Sequence, residues 1–196
     1  LTLNGLTPQT GIVIWPETAV TTVLNDNPWL QDSLRELASQ NNITIITGAF
    51  DSQLNQQGQR EYYNALYVIT PDGNISEPYC KQALVPVGEF IPFEEAVAII
   101  LPWVSELRAL EGTYFPLAFG SENMIFQIPE GKISGIICYE SIIPHIAREQ
   151  SAMGSELLVM ITNDSWFGTS AALTQHLAHA QMRAVENGKY LVRAGN

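Results

Sequence analysis

Three observations predict an α/β fold for this chain. Short apolar runs of β character alternate with helically spaced segments, turn residues bound those runs, and the size and composition suit one packed core. The 196 residues are 46% hydrophobic and only 15% charged, the balance of a globular domain and not of a disordered one. No repeat, linker or low-complexity segment divides them, so residues 1–196 read as one α/β domain.

The elements follow in order. Gly11-Ile-Val-Ile-Trp15 is a short strand of the buried kind. Pro28 to about Gln40 carries Trp29, Leu30, Leu34, Leu37 and Ala38 at helical spacing, with Asn27 as N-cap. Ile43–Phe50 is a second strand, residues 51–60 are a polar turn, and Tyr62–Thr70 is a third strand closed by Pro71-Asp72-Gly73. Residues 75–120 are irregular, punctuated by Pro78, Pro86, Pro92, Pro102 and Pro116, and a loop of that length in a compact domain points to function. Asn123–Pro129 and Lys132–Cys138 are strands around a Glu130-Gly131 turn, and Pro144 to about Met153 is a helix. Glu156–Thr162 is a strand that runs into Asn163-Asp-Ser-Trp-Phe-Gly168. A long helix spans about Thr174 to Asn187, Gly188 stops it, and Tyr190–Arg193 begins a last strand. Strand signals crowd both ends, which predicts an α/β unit incomplete at both ends.

Charge and composition exclude some functions. A net charge of −11 with nine Lys+Arg argues against a nucleic-acid partner. The start, Leu1-Thr-Leu-Asn4, has neither a basic region nor an apolar core and is not read as a signal peptide. The longest apolar stretch, Ala96–Val104, is about half of what a bilayer span requires and contains a proline, so the chain as given is expected to be soluble. Cys80 and Cys138 could pair, but nothing in their setting demands it.

The candidate chemistry centres on Cys138, which a short apolar run delivers to a strand end, where α/β domains usually display reactive groups. A free cysteine is more often a small buried hydrophobe. As a nucleophile it needs a base or a cation beside it. The chain has three histidines: His145 lies seven residues on in the next helix, and His176 and His179 share a face of the late helix. A Cys–His dyad and a His176–His179 metal site are both weak, the latter for want of a third ligand at suitable spacing. Glu17, at the end of the first strand, and Lys81, in the proline-punctuated loop, offer another solution: a carboxylate base and a cation for a developing oxyanion. The plainer alternative makes Glu17 a cap for the segment at Thr18 and Lys81 a solvated loop residue.

Trp15-Pro16-Glu17, Tyr79-Cys80-Lys81 with Leu84-Val-Pro-Val-Gly-Glu-Phe-Ile-Pro92, and Ile137-Cys138-Tyr139-Glu140 resemble the Glu-Lys-Cys triad motifs of the nitrilase (carbon–nitrogen hydrolase) superfamily. Within it they resemble the branch of apolipoprotein N-acyltransferases, supported by Leu-Val-Pro-x-Gly-Glu around Glu89, by Asn163-Asp-Ser-Trp-Phe-Gly168 with Gln175-His176 and by Met182–Asn196. The pattern departs at Val87, where an aromatic is usual, and at Phe90, where a tyrosine is usual. The resemblance implies a nitrilase-like α-β-β-α sandwich and no cofactor or metal. It implies Glu17 as general base, Cys138 as nucleophile, Lys81 as oxyanion partner and Glu89 as a second carboxylate that orients Lys81 or relays protons. Tyr139 and Glu140 would shape the site behind the nucleophile, with a structural ion pair as the alternative for Glu140. Trp166 and Phe167 would contact an acyl chain or lid, with core packing as their alternative. The implied reaction moves an acyl chain from phospholipid, through a cysteine thioester, to the N-terminal amine of a lipid-modified cysteine of an apolipoprotein. It would take place on the periplasmic side of the bacterial inner membrane, reached through parts absent from this chain. The apolar loop 86–120, with Phe90, Ile91, Phe93, Ile99, Ile100, Leu101, Trp103 and Leu110, is the candidate lid. The rival readings are a soluble nitrilase-type amidohydrolase acting on small carbon–nitrogen substrates and a non-catalytic scaffold.

Overall fold

The computed structural model describes residues 2–93 and 117–196. Among them, two four-stranded sheets stack face to face with helices outside, the four-layer arrangement of a nitrilase-like sandwich. The first half contains α1 (Thr2–Gly5), β1 (Ile12–Ile14), α2 (Pro28–Asn41), β2 (Thr44–Leu54), β3 (Arg60–Ile69) and β4 (Tyr79–Cys80). The second contains β5 (Phe126–Ile128), β6 (Gly131–Ile137), α3 (Pro144–Ala152), β7 (Leu157–Thr162), α4 (Ala172–Asn187) and β8 (Tyr190–Gly195). Each sheet keeps its strands in chain order. β1 pairs parallel with β2, and β6–β7–β8 are parallel, while β2–β3, β3–β4 and β5–β6 are antiparallel.

Strand periodicity builds the layers. In β2 and β3, Ile46, Leu66 and Val68 point between the sheets, where they meet Ile133, Ile137, Val159 and Ile161 of β6 and β7. Their neighbours Ile45, Ala65, Tyr67 and Ile69 face the other way, onto Leu34 and Ala38 of α2. In the second sheet, Ile136, Leu158 and Met160 pack outward on Ala147 of α3 and Ala180 of α4. With both faces covered, these strands read as continuous apolar runs and do not alternate with polar residues. Gly135 permits the close approach of the sheets: a Cβ there would lie 2.9 Å from a Leu66 methyl and 3.3 Å from the Tyr79 ring.

Several boundaries differ from the expectation. The hairpin β2–β3 runs in register to the Leu54–Arg60 pair, so the polar turn shrinks to 55–59. Its polar start is strand because Asp51 is buried and accepts a hydrogen bond from Tyr67 Oη at 2.6 Å. β4 lies inside the stretch expected to be irregular, added to β3 through the Ala65–Cys80 and Leu66–Tyr79 pairs. The last strand continues to Gly195 along β7. Two 3-10 turns, Cys138–Ile142 and Asp164–Phe167, follow β6 and β7 directly. The helix expected from Pro28 forms with Asn27 Oδ1 accepting from Leu30 N–H at 3.2 Å and Asn42 closing it in the left-handed conformation.

Candidate active site

Strand ends bring the three leading candidates together. Glu17 follows β1, Lys81 follows β4, and Cys138 follows β6. All three are buried, at 5%, 1% and 6% exposure respectively. The Cys138 backbone is in the left-handed region, with φ +50, a conformation a side-chain-bearing residue adopts only when its surroundings impose it. The turn presents the thiol at the top of the strand in place of continuing the ladder. Thr18, beside Glu17, turns the same way, with φ +51. Gly48 of β2 lies against that turn, where a Cβ would come within 2.6 Å of the Thr18 nitrogen and 2.7 Å of the Glu17 Cα.

The Lys81 ammonium donates to Glu17 Oε1 at 3.1 Å and to Glu89 Oε1 at 2.8 Å. Glu17 is therefore no cap, and Lys81 is no solvated loop residue. Asn64 of β3 bridges the same two oxygens, its Nδ2 donating to Glu17 at 2.7 Å and to Glu89 at 3.1 Å. The second oxygen of Glu17 accepts from the Asn163 backbone N–H at 2.7 Å, and that of Glu89 from Val85 N–H at 2.7 Å. Burial alone would lower the Lys81 pKa, but the adjacent Glu17 and Glu89 outweigh it and raise it. Lys81 thus stays a cation while buried.

The Glu17 and Thr162 side chains lie close enough to the Cys138 thiol to act on its ionisation. Burial first, then the charge of Glu17, push it up to about 11, against the lowering pull of Lys81. At neutral pH the site therefore holds a thiol beside a base, and sulfur becomes nucleophilic only as the proton leaves. Glu140, fully buried, does not reach the pocket. It accepts hydrogen bonds from Tyr79 Oη at 2.9 Å and from the backbone N–H groups of Gln82 at 2.6 Å and Ile137 at 2.7 Å. It thereby ties the end of β6 to the loop that carries Lys81. Those donors are neutral, so the ties are hydrogen bonds in place of the ion pair weighed from sequence. Burial lifts its pKa to about 7, opposed by the Ile137 and Gln82 donors.

The cluster opens into a pocket of about 350 Å³ with mostly apolar walls. Glu17, Lys81, Glu89 and Cys138 stand at its base, and Tyr139, Trp166 and Phe167 line it with Val85 and Ile142. Trp166 is 76% exposed and so is no core residue, whereas Phe167 packs edge-on against His176 with ring centroids 5.4 Å apart. His176 and His179 line the same pocket, and His145 is exposed elsewhere. Among the described residues no three His, Cys, Asp or Glu side chains are placed to hold a metal ion. Nor is any helix among them long and apolar enough to cross a membrane. Cys80 and Cys138 are both free thiols. Of the expected lid, Phe90, Ile91 and Phe93 are described, with Phe93 85% exposed. Ile99, Ile100, Leu101, Trp103 and Leu110 lie outside the described residues.

Reading the sequence missed Asn64, which holds the two carboxylates together. One signal was present: an amide in the middle of an otherwise apolar strand, 2% exposed, demands a buried partner. It also missed Asp164 and Arg193, which pair beside His176.

Relatives and structural neighbours agree with this architecture. The chain is 34% identical over 186 residues to the apolipoprotein N-acyltransferase of Geobacter metallireducens, covering 94% of this chain and 34% of that protein. It is 35% identical over 206 residues to the one from Sinorhizobium fredii, covering 100% of this chain and 37% of that protein. The chain thus spans about a third of the length of these curated relatives. A carbon–nitrogen hydrolase from Helicobacter pylori shares the fold with a TM-score of 0.70 at 16% identity, over 96% of this chain and 62% of that one. An amidase from Nesterenkonia aligns with a TM-score of 0.62 at 18% identity, over 99% of this chain and 64% of that one. The sequence profile of the carbon–nitrogen hydrolases matches residues 6–196, nearly from end to end, and the chain belongs to that family.

Proposed function

We propose that this chain is the catalytic domain of an N-acyltransferase that carries an acyl chain on Cys138. One observation carries the reading: a thiol, a base and a buried cation meet at the floor of a largely apolar pocket. The name of the relatives supplies the acceptor, an apolipoprotein amine, and a phospholipid ester is the donor proposed with it. The proposed setting is the outer face of a bacterial inner membrane.

The mechanism follows from the contacts. Glu17 takes the Cys138 proton as sulfur attacks the acyl ester carbonyl, forming the C–S bond. Lys81, with a backbone N–H beside Cys138, stabilises the oxyanion of the tetrahedral intermediate. That intermediate collapses with breakage of the ester C–O bond, and Glu17 returns the proton to the departing lysophospholipid. The α-amine of the acceptor then attacks the thioester and gives its proton to Glu17. The C–N bond forms, the C–S bond breaks, and the proton returns to the cysteine sulfur. Glu89 and Asn64 keep Lys81 and Glu17 in register, and Tyr139, Trp166 and Phe167 form walls for the acyl chain. Apolar walls favour acyl transfer over hydrolysis because the thioester must wait for an amine without meeting water.

Intact mass spectrometry of the full-length protein exposed to phospholipid tests this. A hydroxylamine-labile acyl mass on Cys138, absent from Cys138→Ser and discharged by a peptide with an N-terminal lipid-modified cysteine, is expected. A labile adduct that persists in Cys138→Ser, or one that water discharges to free acid as fast as the amine does, overturns the reading.

A further inference from the structure

The strained turn at Cys138 needs something to hold it, and the described contacts identify the holder. Cys138 leaves β6 with φ +50, and the Cys138 carbonyl oxygen does not enter a strand ladder. It lies 3.0 Å from Nε2 of His176, a ring buried at 5% exposure in the first turns of α4. On the other side of the ring, Nδ1 lies 3.2 Å from Asp164 Oδ1. Asp164 is itself fixed from several sides: Arg193 of β8 pairs with Oδ2, Thr162 donates to Oδ1 at 3.1 Å, and its backbone N–H donates to Asn196 at 3.1 Å. The residue between those two, Asn163, gives its N–H to the base Glu17. One short segment, 162–164, therefore reaches both partners of the proton transfer: Glu17 directly through the Asn163 N–H, and Cys138 through Asp164 and His176.

We infer that His176 is a positioning residue for the nucleophile, clamping the Cys138 carbonyl from a ring that Asp164 and Arg193 hold in place. A planar trans peptide points its C=O and the following N–H in opposite directions. Fixing the Cys138 carbonyl against α4 therefore also fixes the direction of the Tyr139 N–H, a donor beside the reacting carbon in the proposed mechanism. The ring nitrogens face the Cys138 carbonyl on one side and the Asp164 carboxylate with the Arg193 guanidinium on the other, so the ring orients the peptide of the cysteine and leaves proton removal to Glu17. This is a different part from the Cys–His dyad weighed from sequence. The inference rests on Cys138 being the attacking thiol of the proposed function.

The test compares His176→Gln with His176→Met in the full-length protein. The two side chains are alike in length, but only the glutamine amide can donate where Nε2 stood. Two readouts are taken: the rate of acyl-adduct formation from phospholipid, and the pH dependence of Cys138 alkylation by iodoacetamide, assigned by peptide mass. In the methionine variant the adduct is expected to form about 100-fold more slowly, the cost of a misplaced reacting group. Its thiol, no longer held against Glu17, is expected to alkylate at lower pH than in the wild type. His176→Gln is expected to recover both readouts to within about fivefold. A methionine variant that matches the wild type in both overturns the inference, as does a glutamine variant as impaired as the methionine one despite a native melting transition. Should the methionine variant lose its cooperative melt, His176→Asn, whose amide is too short to reach the carbonyl, replaces it in the comparison. A wild-type protein that gains no acyl group from phospholipid overturns the acyl-transfer reading instead, and the alkylation contrast still decides the role of His176.

Discussion

Replacing Glu17 by glutamine should make Cys138 more acidic and less active at once. The thiol stands at about 11 against an ordinary 9.0, with burial the larger cause and the Glu17 charge the next. A shift of that size represents about 3 kcal/mol of preference for the protonated form, at about 1.4 kcal/mol per pKa unit. Glutamine removes the charge but keeps the volume, and Lys81, which favours the thiolate, remains. With that charge gone the thiol should fall from about 11 toward its ordinary value, and a fall of about one unit raises the thiolate fraction at pH 8 roughly tenfold. Iodoacetamide alkylation of Cys138 at pH 8 should therefore accelerate by up to about tenfold. Acyl-adduct formation should fall by about 100-fold to 10,000-fold, because the proton acceptor is gone. Both rates come from one set of samples, by peptide mapping and intact mass. A thiol whose alkylation profile stays where it is, or moves to higher pH, refutes the electrostatic account of the site. An acyl adduct that forms at the normal rate refutes Glu17 as the base.

Lys81→Met leaves Glu17 and Glu89 facing each other without the cation between them. Removing one partner from a buried ion pair costs about 3–5 kcal/mol, so a markedly lower Tm is expected along with loss of acylation. A melting temperature within a few degrees of the wild type would contradict the burial assigned to that cation. Glu140, lifted to about 7 by burial, binds its proton more tightly folded than unfolded. Its contribution to stability is then fully present below its ordinary value and is lost as pH rises from about 4.5 through 7. The difference in unfolding free energy between wild type and Glu140→Gln should therefore shift across that window by an amount on the order of 3 kcal/mol. A difference that stays flat with pH, measured by urea denaturation, refutes it.

Much of the fold was legible because it depends on local pattern. The runs 43–50, 62–70, 132–138 and 156–162 are apolar enough to be buried on both faces, and β2, β3, β6 and β7 form over most of each. Asn27 and Gly188 stood where helix ends need them, and the observed caps are those residues. The errors lie where tertiary contacts override local chemistry. Residues 51–54 are polar and read as a turn, yet the partner strand opposite and the Tyr67 hydroxyl bonded to Asp51 make them β2. The two-residue strand Tyr79–Cys80 exists because β3 offers it an edge, and no window of that length can announce itself.

The division is sharper at the site. By itself the sequence determined that a glutamate stands after β1 and a cysteine after β6, while it placed Lys81 only in a proline-punctuated loop. Strand ends can be read from local hydrophobicity, and motif spacing along the chain is a one-dimensional property. Only the tertiary structure decided that Glu17, Lys81 and Cys138 meet, since they come from two stacked sheets and lie up to 121 residues apart in sequence. It alone decided that Asn64 spans the two carboxylates, that Glu140 braces the turn from outside the pocket, and that His176 grips the peptide of the cysteine. Those roles depend on distance and direction in a buried, low-dielectric space, where one hydrogen bond sets the charge state of its neighbour. Spacing along the chain carries no record of that.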